Sequence, residues 1–364
     1  ITNSFTTISS FGMRSYQISD SNHQFSDSEY IASRRITAVV AFVLCAIYVI
    51  VIGTNIKELI CILSYMLLRL VESTEDVYQG ILQIYWRYDI IGKSYILRGT
   101  LQIFLFVLCF LLTNNLTITF LVMFFSNLVV LILYDKRIVN KIANVVTIIW
   151  SNNLIRLFKE CAVLVVYYFM ANSLATVVRV SIKNHMGQDL LGIYSTVASP
   201  TVIVQLLASV VFSPFLPLFA KAYNSGNKKL FSQYIKKIVV CIIIGFIFVN
   251  IATILFGKWG LQILYNSDIA SHYELLLPLV WCTFFAAAVW LFAGTLISIR
   301  AIKPLVCGMT IAFFINYVLS DLLVTTFGLN GASYSQVISE VLLMLYLFVI
   351  VMIKKNQIKG VNEG

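Results

Sequence analysis

KKIVVCIIIGFIFVNIATILFG, residues 236–257, opens on two lysines and then carries no further charge, with Asn250 and Thr253 among its few polar residues. A helix needs about 20 predominantly apolar residues to cross the hydrocarbon core of a bilayer, and this stretch supplies them. The same pattern recurs on both sides of it. Stretches near 35–53, 58–82, 97–113, 116–134, 158–178, 191–217, 275–298, 304–326 and 331–353 are each long and apolar between clusters of Lys, Arg, Gly and Asn. The sequence therefore predicts an all-α, polytopic transmembrane bundle of about ten helices.

Composition agrees. AVILMFWYC make up 60% of the 364 residues and charged residues only 12%, roughly half the share found in soluble domains. Cys45, Cys61, Cys109, Cys161, Cys241, Cys282 and Cys307 lie in or beside apolar runs, where a thiol packs as a small hydrophobe. No CxxC or Cys/His spacing of the zinc type occurs, so neither a disulfide framework nor a metal site is expected.

The net charge of +10 raises nucleic acid as a partner, but its distribution points to the membrane instead. With residues 1–34 placed on the cytoplasmic side and the segments alternating, most of the 26 Lys and Arg fall on that side. Only Lys57, Arg179, Lys183 and Lys258 fall outside, and Arg69 lies deep in a segment. This is the positive-inside pattern, and no nucleic acid is needed to explain it. Tyr85, Trp86, Tyr134, Trp150, Trp259 and Tyr265, at segment ends, read as interfacial anchors.

The segments fall into a group of four, a basic amphipathic connection over 135–157, and a group of six. The expected domains are an N-terminal lobe over 1–150, with that linker at its end, and a C-terminal six-helix lobe over 151–364. Helical repeats are common in secondary transporters; a first lobe matching the second requires two helices ahead of Ile1, twelve in all.

The second segment, ELICILSYMLLRLVESTEDVYQGILQIYWRYD (58–89), is the least apolar. Arg69, Glu72, Asp76, Gln79 and Gln83 step by three or four residues, so they share one helix face, with Ser73 and Gly80 beside it and Glu75 nearby. Charges at bilayer depth cost at least about 2 to 3 kcal/mol each unless they face a partner or a water-filled cavity. The stripe therefore faces the protein interior, either as a structural pair of Arg69 with Glu72 or as a cavity surface that touches substrate. Arg179, with Asn172 and Thr176 on nearly the same face, reads equally as a ligand or as a snorkelling interfacial arginine.

Glu75, Asp321 and Glu340 are the carboxylates expected to couple transport to Na+ or H+, because His23, His185 and His272 all read as loop residues. Pro200, Pro214 and Pro217 inside 191–217 predict a kinked helix. Serine-hydrolase, zinc-protease, P-loop and dinucleotide-binding motifs are all missing from the sequence, so a transporter is expected rather than an enzyme, with no cofactor.

Three stretches carry a family resemblance. FGMRSYQISD (11–20) with YIASRRIT (30–37), ESTEDVYQGILQIYWRYDIIGKSYILRG (72–99), and the later runs 172–182, 191–226 and 316–333 are similar to the Wzx-type polysaccharide repeat-unit flippases of the multidrug, oligosaccharidyl-lipid and polysaccharide exporter superfamily. The middle stretch is the most specific, with Glu72, Asp76, Gly80, Gln83, Arg87, Asp89, Gly92, Ser94, Arg98 and Gly99 at matching positions. One departure is Val178, which stands ahead of Arg179 where a proline is expected.

The resemblance implies two pseudo-symmetric six-helix lobes around a central cavity in the bacterial cytoplasmic (inner) membrane. It further implies that a cationic cavity receives the diphosphate and sugars of an undecaprenyl-diphosphate-linked oligosaccharide while the lipid tail stays in the bilayer. Arg69 and Arg14 are the first candidates for headgroup contact, Arg179 the third, with Glu72, Asp76, Gln79, Gln83 and Asn172 lining the cavity. A polysaccharide polymerase or assembly protein is the expected partner beside membrane lipids. The alternatives are a cation-coupled multidrug exporter of the same fold and a membrane polysaccharide polymerase; for the latter the longest outer loop, about 258–274, is short.

Overall fold

The computed structural model describes residues 2–18, 20, 24–143, 145 and 150–358, and all its regular structure is helical. Ile1, His23 and Lys359 lie outside the described residues. The chain divides into two compact units, Ile1–Val165 and Val166–Gly364.

The first unit contains α1 (Thr2–Ser10), α2 (Met13–Ile18), α3 (Asp27–Val51), α4 (Ile56–Ile84), α5 (Tyr88–Thr113), α6 (Leu116–Val130), α7 (Lys136–Ile142) and the start of α8 (Asn152–Met186). α4 is its hub, packing against α1, α2, α3, α5 and α6. Local chemistry sets the ends of these helices. Ser26 caps α3: its hydroxyl accepts from Glu29 N–H at 3.3 Å while the Glu29 carboxylate accepts from Ser26 N–H at 2.8 Å, a reciprocal capping box. Asn114 closes α5 in the left-handed region at φ 48°, which asparagine tolerates better than most residues. Asn115 then opens α6 by accepting from Thr117 N–H at 2.9 Å.

A π-helical turn over Leu131–Asp135 joins α6 to α7, so the helix continues to Ile142. Much of the connection expected over 135–157 is therefore helical: the lysines and arginine of 136–141 ride on the exposed end of a span.

The second unit holds the remainder of α8, then α9 (Gln188–Ala198), α10 (Val202–Phe212), α11 (Phe215–Asn224), α12 (Lys228–Leu264), α13 (Ser267–Ser271), α14 (Leu276–Ser298) and α15 (Ile302–Asn356). Here α14 is the hub. Most of the apolar stretch of Tyr273–Ser298 is buried, whereas almost none of that in α12 is, so α14 is the interior strut and α12 an outer wall. The segment expected over 191–217 is broken as its prolines require: a 3-10 turn at Ser199–Thr201 contains Pro200, and Pro214 precedes α11.

α15 would measure about 80 Å at 1.5 Å per residue, too long for one bilayer. Gly328, at φ 61° and ψ −140°, interrupts it, and the chain turns back there. Ser320 and Ser335 hydroxyls meet at 3.2 Å across the two arms, and Gly308 lets Tyr346 of the second arm lie against the first. α15 is thus two antiparallel spans, as 304–326 and 331–353 anticipate.

Among the described residues, eight helices are long and apolar enough to cross a membrane. Counting α15 as two spans and adding α4, which is long enough but carries Arg69, Glu72, Glu75 and Asp76, gives the ten segments read from the sequence. The fold is an all-α, multi-pass membrane bundle. His185 corrects one expectation: it lies in the last turn of α8, not in a loop, because the helix runs on until Gly187 at φ 92° stops it.

Candidate functional site

Because α4 is surrounded by helices, its polar side chains meet partners rather than lipid. Arg14, on α2, lies against the Asp76, Gln79 and Gln83 face of α4. Its Nη1 donates to Asp76 Oδ1 at 2.6 Å and to Gln79 Oε1 at 3.2 Å, and its Nη2 donates to Gln83 Oε1 at 3.3 Å. The other Asp76 oxygen accepts from Arg34 Nη2 of α3 at 3.3 Å. Arg34 is secured by Ser9 C=O at 2.7 Å and Ser73 Oγ at 3.3 Å, and Ser9 and Ser73 hydroxyls bond each other at 2.7 Å.

Gln79 carries the network onward. Its Nε2 donates to Glu75, Arg98 of α5 pairs with Glu75, and the same guanidinium pairs with Asp135 in the π-helical turn. A single polar chain thus runs Arg34, Asp76, Arg14, Gln79, Glu75, Arg98, Asp135 across α3, α2, α4, α5 and the end of α6. Three cations meet three carboxylates, so the whole is neutral, but not uniformly. Two arginines share Asp76 at one end, leaving an excess positive charge; two carboxylates share Arg98 at the other, leaving an excess negative one.

Exposure separates the ends. The Arg98, Glu75 and Asp135 side chains are 5%, 6% and 0% exposed, and Arg34 1%. Arg14 and Asp76 are 25% and 29% exposed. Only the electropositive end opens to the surroundings. A planar guanidinium there presents a fork suited to phosphate or carboxylate oxygens.

Of the other candidates in this unit, Arg69 pairs with Glu72 one turn on, and Glu72 also accepts from Gln102 Nε2 at 3.0 Å. This pair stands apart from the Arg14 network. In the second unit Asn172, Thr176 and Arg179 are exposed together on one face of α8. Asp321 accepts from Ser181 Oγ at 2.6 Å and lies 3.4 Å from His185 Nε2, while Glu340 is 2% exposed and accepts from Gln336 Nε2 at 2.8 Å. Asp321 and Glu340 sit in separate environments and form no joint carboxylate site.

Sequence reading does not single out Arg34 or Asp135 as site residues, and it names Arg98 only as a position of the family resemblance. Arg34 ends the stretch expected on the cytoplasmic side and Arg98 stands at the start of the segment expected near 97–113; the structure buries both, because α3 starts at Asp27 and Arg98 is ten residues into α5. A charge count on α4 could have found them. Beyond its first turn, α4 sets Glu72, Glu75 and Asp76 against a single cation of its own, Arg69, so further cations must come from neighbouring helices.

No family model matches the chain. It is similar to the capsular polysaccharide biosynthesis protein CapF of Staphylococcus aureus, 26% identical over 324 residues, covering 88% of this chain and 81% of that protein. Among solved structures, an outward-facing multidrug resistance MATE family transporter of the MOP superfamily superposes with a TM-score of 0.78 at 13% identity, over 98% of this chain and 85% of that one. A MOP superfamily transporter from Pyrococcus furiosus, whose binding pocket is described as of reversed polarity, gives 0.78 at 12% identity over 99% and 86%. The Vibrio cholerae MATE transporter VcmN in its bent form gives 0.75 at 10% over 97% and 84%. The polar network of α4 is therefore built into a chain with the transporter fold of the MOP superfamily.

Proposed function

We propose that this protein is a Wzx-type flippase that moves an undecaprenyl-diphosphate-linked oligosaccharide repeat unit across the bacterial cytoplasmic membrane for capsular polysaccharide synthesis. The observation that carries the reading is the electropositive end of the α4 network: two arginines share one carboxylate, and the partly exposed member, Arg14, has Asp76 as its carboxylate partner, its other acceptors being the neutral oxygens of Gln79, Gln83 and Tyr95. In the transport step, Arg14 exchanges part of its contact with Asp76 for a phosphate oxygen, while buried Arg34 holds Asp76 in place and contributes charge without moving. Gln79 and Gln83 line the same face and supply neutral donors and acceptors for sugar hydroxyls. The transported group remains chemically unchanged, and neither a cofactor nor a catalytic residue takes part; the coupling ion is Na+ or H+. The transporter fold and the likeness to CapF support this reading, and a polysaccharide polymerase is the partner that would consume the exported unit.

The test is made in cells deleted for the full-length gene. Single, unpolymerised repeat units accumulating on the cytoplasmic leaflet, with loss of surface polymer, support a flippase, and complementation by Arg14→Ala at normal protein level then fails. Normal lipid intermediates and normal polymer overturn the reading. Single repeats stranded on the outer leaflet also overturn it, in favour of a polymerase.

A further inference from the structure

Glu340 lies near the middle of the second arm of α15, about 14 Å along it from Gly331 at 1.5 Å per residue, and is 2% exposed. Its Oε1 accepts from Gln336 Nε2 at 2.8 Å. Its Oε2 is buried without a hydrogen-bond partner among the described residues. Nor does a cation answer it: α8, α12, α14 and the first arm of α15 bring no charged group to it, and Arg179 of α8 acts on Tyr194 instead. The titratable groups that feel its charge are the Cys282 thiol of α14 and the Tyr194 phenol of α9.

An ionised carboxylate buried at bilayer depth with neither cation nor water is too costly to persist, so Glu340 holds either a proton or a bound cation. The donor set decides between them. Gln336 meets it through nitrogen, Cys282 offers a thiol already directed at Ser333 C=O at 3.3 Å, and no group of three His, Cys, Asp or Glu stands together among the described residues. A hard cation needs several oxygens converging on one point; a proton needs one, and Oε2 supplies it.

The two directions along the arm differ. Toward Gly331 the face of Glu340 is polar, with Gln336 (i−4), only partly buried, and then Ser333 (i−7), whose hydroxyl meets Tyr194 OH at 3.0 Å. Toward Lys354 the same face carries Leu343, Leu347 and Val351, each 2% exposed or less. A proton thus reaches Glu340 from the Gly331 end and meets an apolar seal beyond it. In the topology read from the charges, the Gly331 end is the outer one.

We propose that Glu340 is a proton site, neutral in this conformation with the proton on Oε2, and that the ion coupled to transport is H+. The coupling rests on the flippase reading; the proton site rests on the burial and partners of Glu340. Release passes the proton to water at the Gly331 end and leaves a carboxylate, which is stable only where water reaches it. Loss of the proton therefore favours a state in which α14 and the second arm of α15 part, and protonation favours the packed state described above.

The full chain in phosphatidylcholine nanodiscs is treated with dicyclohexylcarbodiimide, an apolar reagent that adds to protonated carboxyls, and the Glu340 peptide is followed by mass spectrometry. Labelling is expected at neutral pH, to fall about tenfold per pH unit once the pH passes the midpoint of the group, and to be the same in sodium chloride as in choline chloride. No labelling, labelling that ignores pH, or protection by Na+ overturns the proposal. Glu340→Gln keeps the acceptor for Gln336 but releases no proton; it is expected to melt like the unsubstituted protein and to fail to restore surface polymer in the deletion strain. Full export by Glu340→Gln overturns the coupling. Repeat units accumulating in the deletion strain while Glu340 stays unlabelled remove the proton site and leave the flippase. Labelling with the expected pH dependence where lipid intermediates are normal does the reverse.

Discussion

Arg14 Nη1 and Asp76 Oδ1 lie 2.6 Å apart although 62 positions separate them in the chain. Both are about a quarter exposed, so solvent screens the pair and its contribution to stability is small. Arg14→Ala is therefore expected to leave the protein folded and to weaken binding of a polyprenyl diphosphate by about 1.5 to 3 kcal/mol, the worth of hydrogen bonds to a charged group. Arg14→Lys keeps the charge but loses the fork and recovers only part of the affinity. Isothermal titration in nanodiscs measures both; unchanged affinity in Arg14→Ala sinks the assignment of this residue.

Asp76→Asn should behave differently. It strips the counter-charge from Arg34, whose side chain is 1% exposed, and an unpaired buried charge costs about 3 to 5 kcal/mol. Thermal melting in detergent should place Asp76→Asn well below Arg14→Ala. The reverse order would mean that Arg34 is adequately held by Ser9 and Ser73 alone.

Arg98→Ala leaves Glu75 and Asp135 buried without a cation, and a loss of about 3 to 5 kcal/mol is expected. Replacing all three charges together, as Arg98→Leu with Glu75→Gln and Asp135→Asn, removes both signs and should return much of that loss. Melting temperatures of the single and triple variants decide it; a triple variant no more stable than the single shows that the ion pairs are not the origin of the effect.

Gly328→Ala puts a side chain on a residue at φ 61° and ψ −140°, a combination that essentially only glycine adopts, at about 1 to 3 kcal/mol. Gly308→Ala tests the contact between the same two arms, because its Cβ would lie 2.5 Å from the Tyr346 ring. Overpacking of that kind costs about 1 to 3 kcal/mol, and Tyr346→Leu should relieve it. A double-mutant cycle with no coupling between positions 308 and 346 would contradict the antiparallel arrangement.

The spans were legible because bilayer thickness imposes a length and a polarity on every one of them, and the break between 326 and 331 was legible because Gly328 interrupts an otherwise continuous run. The polar face of α4 was visible from i, i+3 and i, i+4 spacing. Its partners were not. Periodicity describes one helix at a time, whereas Arg34, Arg98 and Asp135 come from three other stretches, and the charge-sidedness rule that places arginines in loops hides those that are buried. His185 was misplaced for a similar reason, since only the position of Gly187 shows where α8 ends.

Gln79 gives the α4 network a sense of direction. Its carboxamide oxygen accepts from Arg14 and its nitrogen donates to Glu75; turned over, both contacts would set like against like, donor facing donor and acceptor facing acceptor. The amide thus has one orientation that satisfies both neighbours. Were the proposed substrate to draw Arg14 away, the amide would lose that constraint at its oxygen and keep only the one toward Glu75 at its nitrogen.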